Sequence, residues 1–339
     1  MVRHLRRLAL WAVPAGFLAV LFYWPLASIA GSSFGPAWLE VLGREDLQRA
    51  IWFTLWQAVV STVLCVAIGL PLAFVLYRRR FFGSVLLRTI LVVPFVLPSI
   101  VVAIALIDLR ELFGGSTILV ILIAHVFLNV SLVVRVVGTA WANLDSETDE
   151  AAEIDGATGV KRFVFVTLAQ LRPAVTSAAA LVFLFCATSF ATILTLGGGQ
   201  IQSIETAIYF ALTQRLDLQS ASVLALVQTA VTVAAFAISR KTGNASFAVE
   251  LTADANESKS LSKRDLPLVL VSLVFIFLLF VIPIASLFVK AFTRSSQFSL
   301  QAFSDLSGKG ARDLLDVTVF EAAANSLRNA AVAAAIAMF

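Results

Sequence analysis

Few side chains in this 339-residue chain are equipped to make or break bonds. There are two histidines, His4 and His125, and two cysteines, Cys65 and Cys186, both set inside long apolar runs. A nucleophile needs a base within hydrogen-bond reach, and a metal needs three or four convergent ligands. Neither pattern is spelled here, so no catalytic residue, no metal site and no disulfide are expected. A phosphate-cradling loop of the form G-x-x-x-x-G-K-[ST] is also missing. The stretch "GATGVKR" at 156–162 has neither the spacing nor the hydroxyl to hold phosphate and magnesium.

The polar residues that remain suit binding and mechanics rather than catalysis. His125 and Asn129 stand four apart, on one helical face, where they either line a pathway or hydrogen-bond between helices. Gly197, Gly198 and Gly199, followed by Glu205 and Tyr209, read either as a plain loop or as irregular backbone beside a pathway. A carboxylate and an aromatic face there would suit a cation. The most unusual polar interval is "DEAAEIDGATG", residues 149–159, which is acidic, small and punctuated by glycine.

The elements that must position these residues are membrane spans. The chain is 60% hydrophobic and 14% charged, with mean hydropathy +0.94, whereas a soluble domain is nearer half apolar and a quarter charged. Leu8–Ala30, Ile51–Tyr77, Thr89–Ile107, Leu112–Val134, Leu218–Ser239 and Leu266–Val289 carry no charged residue, and Pro173 to about Leu196 makes a seventh run. About 20 apolar residues cross a bilayer as a helix. The first run is too long for a signal-peptide core and has no small-residue cleavage pattern, so it reads as a retained span.

Net charge +4 fits topology better than nucleic acid, and no nucleic-acid partner is expected. With the N-terminus in the cytoplasm, the clusters Arg3, Arg6, Arg7 and Arg78, Arg79, Arg80, Arg88 fall inside, as the positive-inside bias requires. The interval 149–159 then also faces the cytoplasm.

Three parts follow along the chain. Residues 1–240 form a six-span domain, 241–265 a polar cytoplasmic linker, and 266–339 the start of a second domain. Pro25-Leu26-Ala27-Ser28-Ile29 is echoed by Pro283-Ile284-Ala285-Ser286-Leu287, and Thr54-Leu55 by Ser326-Leu327, in the same order, which predicts a tandem duplication. The last apolar run, Asn329–Phe339, stops short of a full span, so the second copy reads as truncated.

Between Val134 and Pro173 the spacing predicts a helix over Trp141–Ile154, a turn at Gly156 through positive φ, and a second helical piece over Lys161–Leu171. The run "EAAEIDGATGVKRFVFVTLAQLRP" resembles the EAA loop of ABC importer permeases. Glu150-Ala151-Ala152 precedes Gly156 at the family's distance, and Val166 and Leu168 take the later apolar positions. Ala169 stands where the family has proline, and Pro173 would mark the entry to the next span. Glu321-Ala322-Ala323 spells the same triplet but puts Leu327 at the glycine position and falls on the outer side of the membrane, so it is not a second such loop.

The resemblance implies an all-α polytopic membrane helical bundle, an importer permease of the type I, MetI-like fold, with a six-span first half and a truncated second, in the inner or plasma membrane. It implies that Glu150, Ala151, Ala152, Asp155 and Gly156 seat in a cytoplasmic ABC ATPase dimer. That partner would hydrolyse ATP with Mg, while an extracytoplasmic substrate-binding protein delivers substrate; this chain would hold no cofactor itself. The 189–209 region looks like that of thiamine importer permeases, and more loosely of ferric-iron ones. A secondary transporter or a membrane-embedded enzyme would need buried acids or a convergent catalytic set, and the uncharged runs hold neither.

Overall fold

Runs of apolar residues in lipid can satisfy their backbone only by coiling on themselves, and that is what these sequences do. The computed structural model describes residues 11–12, 14–33, 37–107, 109–112, 114–144, 151–157, 159–242, 259–262, 265–294, 297–308 and 317–338. Trp24–Ser33 (α1) and Ala37–Gly43 (α2) lead into Glu45–Arg78 (α3), a 34-residue helix. Glu45 and Asp46 in its first turn and Arg78 in its last complement the helix dipole. Ser84–Ile90 (α4) and Val93–Val96 precede Ser99–Leu106 (α5). Thr117–Ala142 (α6) is capped by Ser116, whose hydroxyl accepts from the Leu119 amide. Then come Leu168–Ala187 (α7), Phe190–Gly197 (α8), Ile204–Phe210 (α9), Leu218–Thr242 (α10) and Leu266–Ile276 (α11).

Glu45–Arg78, Thr117–Ala142, Phe163–Ala187, Leu218–Ile238 and Leu266–Phe292 are long and apolar enough to cross a membrane. The fold is therefore the all-α membrane bundle that the sequence predicts. Two expected spans differ in detail. Thr89–Ile107 is not one straight helix: Ser84–Val96 and Ser99–Leu106 meet at 98°. Pro98 is the cause, because it pushes Leu97 out of the helical region to ψ 138°.

The span expected from Pro173 to Leu196 starts earlier and breaks sooner. Gly159–Arg162 and the π-helical Phe163–Thr167 run straight into α7, with Pro173 inside the helix. A proline there lacks the amide that would have bonded the Ala169 carbonyl, and its ring crowds that carbonyl, yet the helix continues past it. The helix instead stops at Ala187 and restarts as α8.

Helices α3, α6 and α7 pack together as the core, with α10 against α7 and α11 against α3. Two glycines set the α3–α6 spacing. A Cβ on Gly69 would lie 2.6 Å from Val133 Cγ1, and one on Gly138 would lie 2.3 Å from the Tyr77 ring. Buried Leu72, Leu76, Ile121 and Phe127 fill the centre, and the Phe280 ring lies 5.4 Å from that of Phe127. A second cluster, with Val41, Leu47, Ile204 and Leu224, ties α2, α3, α9 and α10 at the other end. Trp52, Val63, Leu270 and Val271 point outward, as lipid-facing side chains do.

By compactness the first unit runs to Phe280, so α11 packs as part of it. Arg79–Arg80 (β1) pairs in parallel with Lys259–Ser260 (β2), and Arg79 makes a 2.7 Å ion pair with Asp265. The second unit, Val281–Phe339, holds Ile282–Phe292 (α12), a small antiparallel pair formed by Thr293–Arg294 (β3) and Gln297–Phe298 (β4), and Val319–Met338 (α13).

Candidate functional site

Three polar regions sit at different depths of the bundle. The first is the small-residue turn near the C-terminal end of α3. Glu150 lies outside the described residues. Ala151–Ile154 is helical, and the Asp155 amide donates to the Ala151 carbonyl at 3.1 Å. Gly156 N donates to Glu153 O at 3.0 Å, and Ala157 N reaches back to Ala152 O at 2.9 Å. That pair of bonds is the six-to-one closure of a helix ending on a left-handed residue, and Gly156 supplies it at φ +83°.

Among the described residues nothing lies within 4 Å of where a Gly156 Cβ would be, and the dihedral by itself demands glycine. Ala151, Asp155 and Gly156 are exposed and Ala152 is half-buried. Glu153 pairs with Arg162 across the turn. Sequence reasoning passed over Ile154, which is 86% exposed at the tip. The signal was available: it is the only large apolar residue between Asp145 and Gly159.

The second region is a polar seam inside the core. Ser61 on α3 hydrogen-bonds His125 Nδ1 on α6 at 3.1 Å. Asn129 donates to His125 O at 2.9 Å and approaches Cys186 Sγ on α7 at 3.7 Å. Gln57 Nε2 donates to Cys186 O at 2.9 Å. His125 and Asn129 are both buried and tie α3, α6 and α7 together. Among the described residues Gln57 Oε1, His125 Nε2, Thr192 Oγ1 and Gln228 Oε1 find no hydrogen-bond partner, so the seam keeps spare capacity.

The third region is the corner where α8, α9 and α10 meet the start of α3. Gly197 ends α8, while Gly198 (φ +56°) and Gly199 (φ +80°) turn the chain. Ser203 and Thr206 form a capping box at the start of α9, and the Ile204 amide donates to Thr54 Oγ1 at 2.8 Å. Gly198 and Gly199 line a cavity of about 490 Å3 with Gln202, Phe210 and Arg215.

Burial pushes the Glu205 carboxyl up to about 7. Tyr209 packs edge-on against Phe190 at 5.4 Å. Arg44 bridges Asp46 (2.9 Å) and Asp217 (3.1 Å), and Arg215 closes the network on Asp46 (3.0 Å). The side-chain and backbone hydrogen bonds from Ser220, with Arg44 adding to them, hold the Asp217 carboxyl below its usual range. Gly197–Gly199, Glu205 and Tyr209 thus gather in one corner. The turn at Gly156 belongs to the opposite end of α3, and His125 and Asn129 lie between.

A largely helical bundle with lipid-facing flanks, a buried polar seam and a compact turn at one end is the architecture of a polytopic membrane protein. The chain belongs to the family described as binding-protein-dependent transport system inner membrane component, whose profile matches residues 65–295. It is 30% identical over 312 residues to the thiamine transport system permease protein ThiP of Brucella abortus, covering 82% of this chain and 56% of that one. The Escherichia coli K12 ThiP is 34% identical over 208 residues, 56% of this chain and 39% of that one. The sulfate transport system permease protein CysT of Escherichia coli K12 is 30% identical over 230 residues, covering 62% and 83%.

The chain spans a little over half the length of its Brucella relative. In fold it resembles a bacterial ABC transporter that imports the acidic polysaccharide alginate, with TM-score 0.57 and 18% identity, covering 70% of this chain and 95% of that one.

Proposed function

We propose that this chain is the membrane permease portion of an ATP-driven importer that passes thiamine inward, and that the turn around Gly156 is its seat on a cytoplasmic ATPase dimer. The observation that carries the substrate reading is 30% identity to a thiamine permease along 82% of this chain. The corner chemistry agrees with it. Thiamine is a permanent cation, and Glu205 with the Tyr209 and Phe190 rings offers a carboxyl and aromatic faces. Ferric iron, the alternative drawn from the loop resemblance, finds no support among the relatives above. Sulfate is the second reading, because the sulfate permease is matched over 83% of its own length.

Coupling is read from shape. A one-turn elbow with small exposed residues, one exposed isoleucine and a closed C-terminal bond pattern is stiff enough to be pushed as a unit. Glu150, Ala151, Ala152, Asp155 and Gly156, with Ile154 added, are the proposed contact. ATP and Mg are the partner's substrates in this scheme, and an extracytoplasmic binding protein would dock at the corner end, with the N-terminus inside.

Reconstitution of the full-length protein with its ATPase and binding protein in proteoliposomes tests this. ATP-dependent accumulation of labelled thiamine, unaffected by excess sulfate, is expected. Accumulation of labelled sulfate in place of thiamine would overturn the substrate reading.

A further inference from the structure

A cavity of about 700 Å3 lies between the last turn of α3, α4, the bent segment that follows it and α6. Arg88, Ser131 and Arg135 line one part of it, and Val92, Val96 and Leu97 belong to an apolar wall that makes up most of the rest. The cavity is on the side of α6 turned away from the Gly156 turn. Thr139 lines it, whereas Trp141, about 200° further round the helix, stacks on the Phe163 that follows that turn.

Its two guanidinium groups are placed by different elements. Arg88 on α4 lies over the Tyr77 ring, 4.4 Å from its centroid, and donates its Nε to the Leu76 carbonyl at 2.6 Å. That leaves the two terminal nitrogens of the fork to meet another group. Arg135 stands one turn beyond Ser131 on the same face of α6, and Ser131 is only 6% exposed. Among the described residues neither arginine forms an ion pair, and no carboxylate lines the cavity.

We propose that this cavity seats an anionic phospholipid, its phosphodiester between Arg88 and Arg135 and the upper part of an acyl chain along Val92, Val96 and Leu97. Three observations converge on that occupant. Two guanidinium forks and a hydroxyl in one cavity are the donors that phosphate oxygens accept from. Most of the wall is apolar, and Val96 is also 75% exposed on the outer surface of the bundle, so the cavity is continuous with the side where lipid lies. It also belongs to the end of α3 that carries Arg78, Arg79 and Arg80, and basic pockets between spans take up anionic headgroups. A lipid held by α4 and α6 together ties the bent segment to the core. The inference needs only the membrane placement and is independent of the substrate reading.

Native mass spectrometry of the full-length protein, exchanged into detergent with equimolar phosphatidylglycerol and phosphatidylcholine, reads the site directly. Phosphatidylglycerol is expected to be retained preferentially. Each arginine near a membrane surface contributes enough that Arg135→Gln should lower that retention about fivefold. Arg135→Lys, which keeps the charge, should preserve most of it. Arg88→Gln repeats the test from α4, and Arg49→Gln, in the first turns of α3 at its other end, is expected to change nothing.

Equal retention of the two lipids by the wild type would overturn the proposal. So would wild-type retention in both Arg88→Gln and Arg135→Gln, or a loss in Arg49→Gln as large as theirs, which would assign the preference to surface charge at large. Displacement of phosphatidylglycerol by millimolar inorganic phosphate would overturn it too, marking a free-ion site instead.

Discussion

At Gly156, two demands made on one residue can be separated by substitution. The dihedral of +83° excludes side chains that resist the left-handed region, at a cost of roughly 1–2 kcal/mol. Open space around the missing Cβ means that none of the described residues would be displaced. Asparagine tolerates that dihedral and valine does not. Gly156→Asn is therefore expected to preserve the turn, read as unchanged protection of the Ala157 amide in hydrogen exchange, while Gly156→Val loses it. If the turn seats closely on an ATPase, Gly156→Asn and Ile154→Asp will both weaken co-purification of that partner about tenfold or more while insertion stays normal. Wild-type co-purification by both would remove the coupling role from this turn.

Glu205 is legible to acid-base measurement. Its folded-state value is raised by burial to about 7, above the 4.5 of a free glutamate. A raised value means that the folded corner favours the protonated carboxyl, so this contribution to stability is full below about 4.5 and fades as pH rises to about 7. The thermal midpoint, or protection of the Ala207 amide, should therefore fall over that window. Glu205→Gln should abolish that part of the pH dependence. A variant that keeps the same slope would show that another group titrates there.

Among the helices, how much could be read from sequence depended on whether the determining fact was local. Runs without charge gave the spans, because a backbone in lipid has no other way to bond. The Gly156 turn was legible because a glycine just beyond a small-residue helix marks a C-terminal stop. Pro98 bends its span by 98°, whereas Pro173, expected from the sequence to mark the entry to a span, sits within α7. The difference lies in what precedes each: Leu97 is extended, while the π turn Phe163–Thr167 carries the helix through to Pro173.

The partners of His125 were hidden altogether. Ser61 is 64 residues away in sequence, and only the packing of α3 on α6 brings it to 3.1 Å. That packing rests on Gly69 and Gly138, two inconspicuous glycines in apolar runs. Gly69→Leu should force the helices apart and cost at least the 1–3 kcal/mol typical of overpacking. Gly138→Ala should displace the Tyr77 ring. Loss of a cysteine crosslink engineered between α3 and α6 in Gly69→Leu would report the separation, and an unaltered crosslinking rate would contradict it.

For the molecule as a whole, the decisive feature is that the first helix after the linker belongs to the first compact unit. Val269, Ser272, Ile276 and Phe280 are buried, Phe280 against Phe127, and the Arg79–Asp265 pair lies at 18% and 13% side-chain exposure. In lipid, helix association gains little from the hydrophobic effect and depends on packing and polar contacts. The pair therefore adds a polar fastening to the packing of α11. Its removal on one side leaves a buried charge unmatched, which costs more than the pair itself contributes.

Asp265→Asn and Arg79→Gln should each lower the unfolding midpoint in detergent, by about 2–4 °C for every kcal/mol lost. The charge-swapped double variant, Arg79→Asp with Asp265→Arg, should recover part of that loss. Deleting residues 259–280 removes the covering helix as well as the charge, so it should lower the midpoint further than either single change. A deletion that leaves the midpoint where the wild type has it would mean that α11 rests on the first unit without fastening it.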